Sequence, residues 1–364
     1  MSSVFGHQLK LSLFGESHGP AVGMTLDGFP AGFVFDPADL AADMARRAPG
    51  TDDLVSSRRE PDEPEILSGV LNGRTTGQPI TCIIRNRGQQ PEDYGDGPDL
   101  VRPGHGDYTA HVRCHGYEDW RGGGHLSGRL TAPLVFAGAL CAQYLARQGV
   151  TVGAHAEALG GLRDRRFTPG DQTAFPALRR MRIPVLTDGL EQRMAEAIRT
   201  AKADGDSLGG VVECMACGLP AGLGAPFFDS VESQLAHLLF SIPAVKGVEF
   251  GEGFGFASMR GGEANDPLRM LDGRVDFRSN HSGGVQAGIT NGMPLVFRLC
   301  VRPTPTIRKT QQTVSLRRME NAELTAAGRH DPCILPRVIP VVEAAAALVL
   351  LDLWKERAQC FPAE

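Results

Sequence analysis

Val22-Gly23-Met24-Thr25-Leu26 leads into Gly28-Phe29-Pro30-Ala31-Gly32, and the apolar run 211–216 leads into Gly218-Leu219-Pro220-Ala221-Gly222. In both places a strand-like run meets a glycine-proline turn. Asn291-Gly292-Met293-Pro294 reads as a weaker third copy, comparable with Asp27-Gly28-Phe29-Pro30. Gly-x-Pro is common turn chemistry, so the residues alone allow ordinary turns or an internally duplicated sheet-and-helix architecture. No solenoid period is present.

Outward from these turns, Leu9, Leu11 and Leu13 alternate with Lys10 and Ser12, which predicts a strand over 8–14. Further strands are expected at 79–85, 211–216 and 295–301. Asp36-Pro37 offers an N-cap and a proline at the first helical position, and Leu40, Met44 and Arg47 follow at helical spacing before Gly50. A long helix is predicted from Thr131 to a stop at Gly149, with others over 190–203, 230–240 and 338–357. The apolar stretch 338–353 contains Pro340, Glu343 and Asp352, so it reads as a buried helix and not a bilayer span.

The chain has 364 residues, 42% of them hydrophobic and 22% charged, as expected of a globular protein. Aromatic content of 6% and a formal charge of −5 argue against nucleic acid as a partner. Any anion site is then a local basic pocket. Eight scattered cysteines form no disulfide-like framework, and the opening Met1-Ser2-Ser3-Val4-Phe5-Gly6-His7 has no signal-peptide pattern. Both point to a cytoplasmic location. His111, Cys114 and His115 lack a fourth ligand at a recognisable spacing, and Cys214 and Cys217 lack a second pair, so no metal site is expected.

Half of the ten histidines lie in glycine-flanked segments: Gly15-Glu16-Ser17-His18-Gly19, Arg102-Pro103-Gly104-His105-Gly106-Asp107, Arg121-Gly122-Gly123-Gly124-His125, Ser279-Asn280-His281-Ser282-Gly283-Gly284 and Gly328-Arg329-His330-Asp331-Pro332. Glycine allows close backbone approach, histidine titrates near neutrality, and arginine supplies forked donors for carboxylate or phosphate. Five such segments predict one loop-built pocket for an anionic ligand and proton transfer. The first also matches Gly-x-Ser-x-Gly, but a strand-like run follows Gly19 where a hydrolase elbow needs a helix. The triple glycine before the helix at Thr131 suits phosphate binding, although no P-loop lysine follows.

These segments, with Arg46-Arg47-Ala48-Pro49-Gly50, Ile66-Leu67-Ser68-Gly69, Gly205-Asp206-Ser207 and Ala244-Val245-Lys246-Gly247-Val248-Glu249, resemble the chorismate synthase family, in order and over nearly the whole chain. The resemblance implies an α+β fold, a β-α-β sandwich with internal pseudo-two-fold duplication, as a single domain over 1–364 that assembles as a homotetramer. It implies a lyase that eliminates phosphate from 5-enolpyruvylshikimate 3-phosphate to give chorismate, using reduced FMN without net redox change. No appended reductase domain is recognisable, so an external source of reduced flavin is expected and direct use of NADPH is not. The runner-up readings are a flavin-dependent oxidoreductase on a related anionic substrate and a catalytically inactive FMN-binding homologue.

By the same resemblance, His18, His105 and Asp331 are the catalytic candidates. His125, Leu126, Ser127, Ala287, Arg302, Pro303, Thr304, Pro305, Thr306 and Arg329 are flavin-binding candidates. Ser17, Arg47, Arg102 and Arg129 are substrate-binding candidates. Three positions depart from the family pattern. Asp53 stands where arginine is common, with Arg58 or Arg59 as possible substitutes; His125-Leu126-Ser127 replaces Arg-Ser-Ser; and Pro243 replaces asparagine.

Overall fold

Two threonines pin the repeated turns. Thr75 Oγ1 donates to Pro30 O (2.6 Å) and accepts from Phe33 N (3.0 Å), while Gly32 N donates to Thr75 O (2.7 Å). In the second copy Thr290 Oγ1 donates to Pro220 O (2.7 Å) and accepts from Leu223 N (2.9 Å), while Gly222 N donates to Thr290 O (2.8 Å). Gly28 and Gly218 share a φ of +83°, and a Cβ on either would stand 2.1 Å from a carbonyl oxygen, that of Gln8 or of Gly149. Only glycine meets both demands.

The computed structural model describes residues 3–50, 53–55, 60–88, 99–326 and 330–360. One half of the chain runs β1 (Lys10–Gly15), β2 (Ala21–Asp27), α1 (Pro37–Arg47), β3 (Pro64–Ser68), β4 (Ile80–Arg85), α2 (Asp107–Cys114) and α3 (Thr131–Arg147). The other runs β5 (Thr151–Leu159), α4 (Leu190–Ala203), β6 (Gly210–Cys217), α5 (Val231–Ser241), β7 (Val245–Phe250), β8 (Leu295–Val301) and α6 (Leu335–Cys360). The first sheet has the order β1-β2-β4-β3, with Val4–Phe5 on the β1 edge. The second repeats it as β5-β6-β8-β7, with Leu162–Arg163 on the β5 edge. All of these pairings are antiparallel.

The duplication reaches single residues. Gly69 and Gly284 have φ near +82°, and Thr76 N donates to Gly69 O (2.9 Å) as Asn291 N donates to Gly284 O (3.0 Å). This corrects the third sequence copy. Asn291-Gly292-Met293-Pro294 stands where Thr76-Gly77-Gln78-Pro79 stands in the first half, and its counterpart is not Asp27-Gly28-Phe29-Pro30.

α3 and α6 fill the layer between the sheets. A Cβ on Gly138 would stand 2.3 Å from that of Ala344, so these helices touch along their backbones. One core cluster joins Met24 and Ile80 of the first sheet, Phe136 and Leu140 of α3, Leu348 of α6, and Val212 and Phe297 of the second sheet. The 27-residue stretch Arg121–Arg147 is long and apolar enough to cross a membrane, yet 78% of its apolar window is buried inside the fold, which makes it a core helix.

Two elements start more than one residue away from expectation. β1 begins at Lys10 and not at residue 8, because Asp352 accepts from the amides of His7 (3.0 Å), Gln8 (2.6 Å) and Leu9 (2.6 Å). α6 starts at Leu335, three residues before the expected start, with Pro336 in its first turn and Pro340 carried inside it.

Candidate active site

The described residues of the connections from β4 to α3 and from β8 to α6 leave and enter equivalent elements of the two halves. The C-terminal ends of α1 and α5, also equivalent, bring Arg47 and Pro49 beside them from one side and Ile242, Pro243 and Ala244 from the other. Between these four pieces lies a cavity of about 520 Å³. Both halves therefore build its wall.

The wall carries Arg47, Arg102, Arg129, Arg302, Arg337 and Lys246, against Glu60 and Asp331 among the described residues. Basic charge so concentrated on an acidic protein suits a ligand with several anionic groups. Arg47 and Arg129 are both buried and both donate to the buried carboxylate of Asp62. Arg47 Nε also donates to Thr131 Oγ1 (3.1 Å), and Arg129 Nε to Asn86 Oδ1 (2.8 Å). Burial, joined by the Arg337 and Arg129 charges, draws the Arg47 pKa down to about 10 against the pull of Asp62. Burial works against ionised Asp62, but the two guanidinium groups hold its pKa below the ordinary value. Arg337 Nη1 donates to Asp331 Oδ2 (2.5 Å) and its Nε to Arg47 O (3.0 Å), which ties Asp331 to the end of α1.

Two of the expected histidines converge on the triple glycine. Gly122, Gly123 and Gly124 have φ of +60°, +82° and +53°. A Cβ on Gly122 would stand 2.4 Å from His18 Cε1 and 2.9 Å from Ser17 Oγ, and one on Gly123 would stand 3.3 Å from His105 Cε1. The glycines thus give room for both rings on one loop. Ser17 and His18 are buried, and their loop is held by Ser17 N donating to Gly124 O (3.0 Å) and by Asn86 Nδ2 donating to Glu16 O (3.0 Å) and Gly19 O (2.8 Å). β2 follows this loop, so the hydrolase-elbow reading does not hold.

Leu126, Ser127, Arg302, Thr304, Pro305, Thr306, His330 and Asp331 line the cavity; Ser207 Oγ supports their segment by donating to Thr304 O (2.7 Å). Pro303 lies within that segment but off the lining. The His125 ring spans Gly15 O (2.8 Å, from Nδ1) and Ser3 Oγ (2.9 Å, from Nε2), so it braces the chain behind the loop. Ala287, with φ +51°, sits in the turn between Val285–Gln286 and Ile289–Thr290, away from the lining residues.

The expectation that all five histidine segments share one pocket is corrected in two places: Ser17 and His18 lie behind Gly122 and off the lining, and His281 lies elsewhere. Its Nδ1 lies 3.2 Å from Asp266 Oδ1, and its turn packs on Gly251 outside the cavity. Arg329, Arg58 and Arg59 lie outside the described residues. Asp53 is exposed and paired with Arg199 Nε at 2.7 Å, which removes it from the cavity wall. Pro243 lines the cavity. His111 bonds Glu118 (3.0 Å). Cys214 and Cys217 face separate core clusters on opposite sides of β6, and burial raises both thiols, Cys217 to about 11. Sequence reasoning missed Glu60, Asp62, Asn86 and Arg337. Glu60 and Asp62 lie in the polar run 56–65, whose composition carries no sign of burial. Arg337 lies six residues beyond Asp331, and only the α6 start at Leu335 turns it back onto that carboxylate.

The chorismate synthase family model matches residues 9–354. A chorismate synthase of Korarchaeum cryptofilum is 46% identical over 349 residues, covering 96% of each chain. That of Thermococcus gammatolerans is 47% identical over 348 residues, covering 95% of this chain and 96% of its own. That of Opitutus terrae is 42% identical over 371 residues, covering 99% of each. A crystal structure of chorismate synthase superposes with a TM-score of 0.75 at 27% identity, covering 97% of this chain and 93% of that one. Matched along its length in sequence and in fold, the chain belongs to the chorismate synthase family of lyases.

Proposed function

We propose that the chain converts 5-enolpyruvylshikimate 3-phosphate to chorismate by 1,4-anti elimination of phosphate, with reduced FMN and no net redox change, as a step of the shikimate pathway toward aromatic amino acids. The observation that carries this reading is the cavity wall itself: six cations and two histidine-bearing glycine loops on an acidic chain. A substrate with two carboxylates and a phosphate, beside a flavin phosphate, needs that surplus of positive charge. The cavity also offers an apolar side, from Leu126, Ile242, Pro243, Ile334, Val338 and Val341, against which a flat ring system can lie. The residues present therefore fit FMN.

Reduced FMN supplies reducing equivalents that the reaction returns. Leu126, Ser127, Arg302, Thr304, Pro305 and Thr306 hold it, with Arg329, Pro303, Ala287 and the His125 loop as further candidates. Arg47, Arg102, Arg129 and Ser17 hold the substrate anions. His18 donates a proton beside the departing phosphate, and His105 holds a proton beside the flavin. Asp331, oriented by Arg337, assists removal of the substrate proton. The chain acts in the cytoplasm as a homotetramer fed with externally reduced flavin, and 1–364 forms one domain, as the shared core of both halves supports.

The test is an anaerobic assay with chemically reduced FMN and 5-enolpyruvylshikimate 3-phosphate. Chorismate formed without stoichiometric flavin oxidation supports the proposal. Stoichiometric oxidation supports a net oxidoreductase, and flavin binding without product supports an inactive homologue. His18→Ala and His105→Ala are each expected to lower kcat roughly 10²–10⁴-fold. Wild-type rates in both folded variants sink the assigned roles.

A further inference from the structure

We propose that Asp107 is a positioning residue that fixes the tautomer of His105, so that Nε2 is the ring nitrogen that exchanges a proton with the cavity. The inference rests on the proton-transfer role proposed above for His105, and it adds the group that sets the state of that ring.

His105 stands two residues before Asp107, which opens the first turn of α2. The Asp107 carboxylate is surrounded by donors. Its Oδ2 accepts from Arg102 N (3.0 Å) and Arg102 Nε (2.7 Å), and its Oδ1 accepts from Arg102 Nη2 (2.7 Å). His105 Nδ1 lies 2.7 Å from the same Oδ1. Burial would raise the Asp107 pKa, but bonds from Arg102 and His105 outweigh it and hold the group well below the usual carboxylate range. An ionised carboxylate can only accept. His105 Nδ1 is buried and makes no regular hydrogen bond among the described residues, so the Asp107 carboxylate at 2.7 Å is the charge it faces. A bare Nδ1 lone pair would face that carboxylate oxygen at 2.7 Å and be repelled by it, so Nδ1 carries the hydrogen in either charge state of the ring.

That leaves Nε2 as the exchanging position. The Cε1–Nε2 edge faces Gly123, whose Cβ would stand 3.3 Å from Cε1 and 3.6 Å from Nε2, and the ring lines the cavity. Arg302 steadies the loop from the other side by donating from Nη1 to Gly104 O (2.8 Å). The charged groups around the ring are thus Asp107 and Arg102 from its own segment and Arg302 from the connection after β8.

The hydrogen-bond pattern predicts what Asp107→Asn does. If the amide NH2 takes the Oδ2 place, it meets two donors, Arg102 N and Nε. If it takes the Oδ1 place, it meets one donor, Arg102 Nη2, and donates to His105 Nδ1. The second arrangement loses less, and it forces the proton to Nε2. A side chain of the same shape then holds the wrong tautomer, which lowers kcat by roughly 10²–10⁴-fold with a smaller change in KM.

The decisive measurement is the two-bond ¹⁵N–¹H correlation of ring-labelled histidine in the whole protein, with the His105 signal assigned by its loss in His105→Gln. Wild-type protein is expected to show the Nδ1–H form of the neutral ring, and Asp107→Asn the Nε2–H form. A neutral wild-type ring protonated at Nε2 overturns the inference, and this reading needs no substitution at Asp107. An unchanged kcat in a folded Asp107→Asn protein also overturns it. If wild-type protein makes no chorismate, the proposed function fails, while the tautomer readout still judges Asp107 independently.

Discussion

The two halves use the same turns but fill the same rung of their sheets in opposite ways. In the second sheet one rung crosses four strands as His155, Glu213, Arg298 and Glu249. Asp164 bonds the far side of His155 (Nδ1, 3.0 Å), Glu213 bonds its Nε2 (3.0 Å), and Arg298 Nε donates to Glu249 (2.8 Å). Charges alternate along the whole row. The equivalent rung of the first sheet is Phe14, Gly23, Ile83 and Glu65. There the Phe14 ring lies where a Gly23 Cβ would be, 2.5 Å from that position. The backbone repeat thus depends on its threonine, glycine and proline turn chemistry, whereas the outer rung tolerates an ion row or an aromatic ring over glycine.

The largest break in this comparison is expected at Glu213, which is buried between two cations and also accepts from Phe167 N (2.6 Å). Glu213→Ala takes the central carboxylate out of the row, leaving His155 paired only with Asp164, Arg298 only with Glu249, and Phe167 N without its acceptor, and removing one partner of a buried ion pair costs about 3–5 kcal/mol. Urea unfolding measures it, and a loss under about 1 kcal/mol would mean that the row is not held by its charges. Next come the two pins. Thr75→Val and Thr290→Val each strip a buried turn of a donor and an acceptor, at about 1–3 kcal/mol apiece. The two losses should match, and a severe loss in one half beside a neutral result in the other would refute equivalence of the turns. Phe14→Ala should cost only about 1 kcal/mol, because its ring is 39% exposed. A loss as large as that of Glu213→Ala would show that the aromatic rung carries its half as strongly as the ion row does.

The same contrast explains what could be read from the sequence. Gly28-Phe29-Pro30-Ala31-Gly32 and its echo expose the duplication because glycine and proline restrict the backbone locally. A stronger signal is Gly73-Arg74-Thr75-Thr76-Gly77-Gln78-Pro79 beside Gly288-Ile289-Thr290-Asn291-Gly292-Met293-Pro294, which share glycine, threonine and proline at the same four places, whereas 27–30 and 291–294 are unlike turns. Arg47, Arg102, Arg129 and the glycine-flanked histidines were legible because their residue types announce anion and proton chemistry. Asp62 was not, since its burial between Arg47 and Arg129 is created by the meeting of α1 with the connection before α3. His281 misled for the opposite reason: its glycines serve close backbone contact with Gly251 and not a cavity.

The smallest expected effect sharpens the comparison most, because only one half can show it. Burial opposes a charged His155, but bonds to Asp164 and Glu213 outweigh it and raise its pKa above 6.5. A group with a raised folded pKa gives its full stabilisation below the unfolded value, near pH 6.5, and loses it as pH rises through the folded value. Wild-type protein should therefore lose stability from about pH 6.5 upward, by at most about 1.4 kcal/mol per pH unit from this group. His155→Gln should remove that component of the slope, as measured by urea unfolding at several pH values. Phe14→Ala should leave the slope unchanged, since its rung holds no group that titrates in this range. If the slope persists unaltered in His155→Gln, the ion row is not the origin of the pH dependence, and the two rungs differ in composition without differing in response.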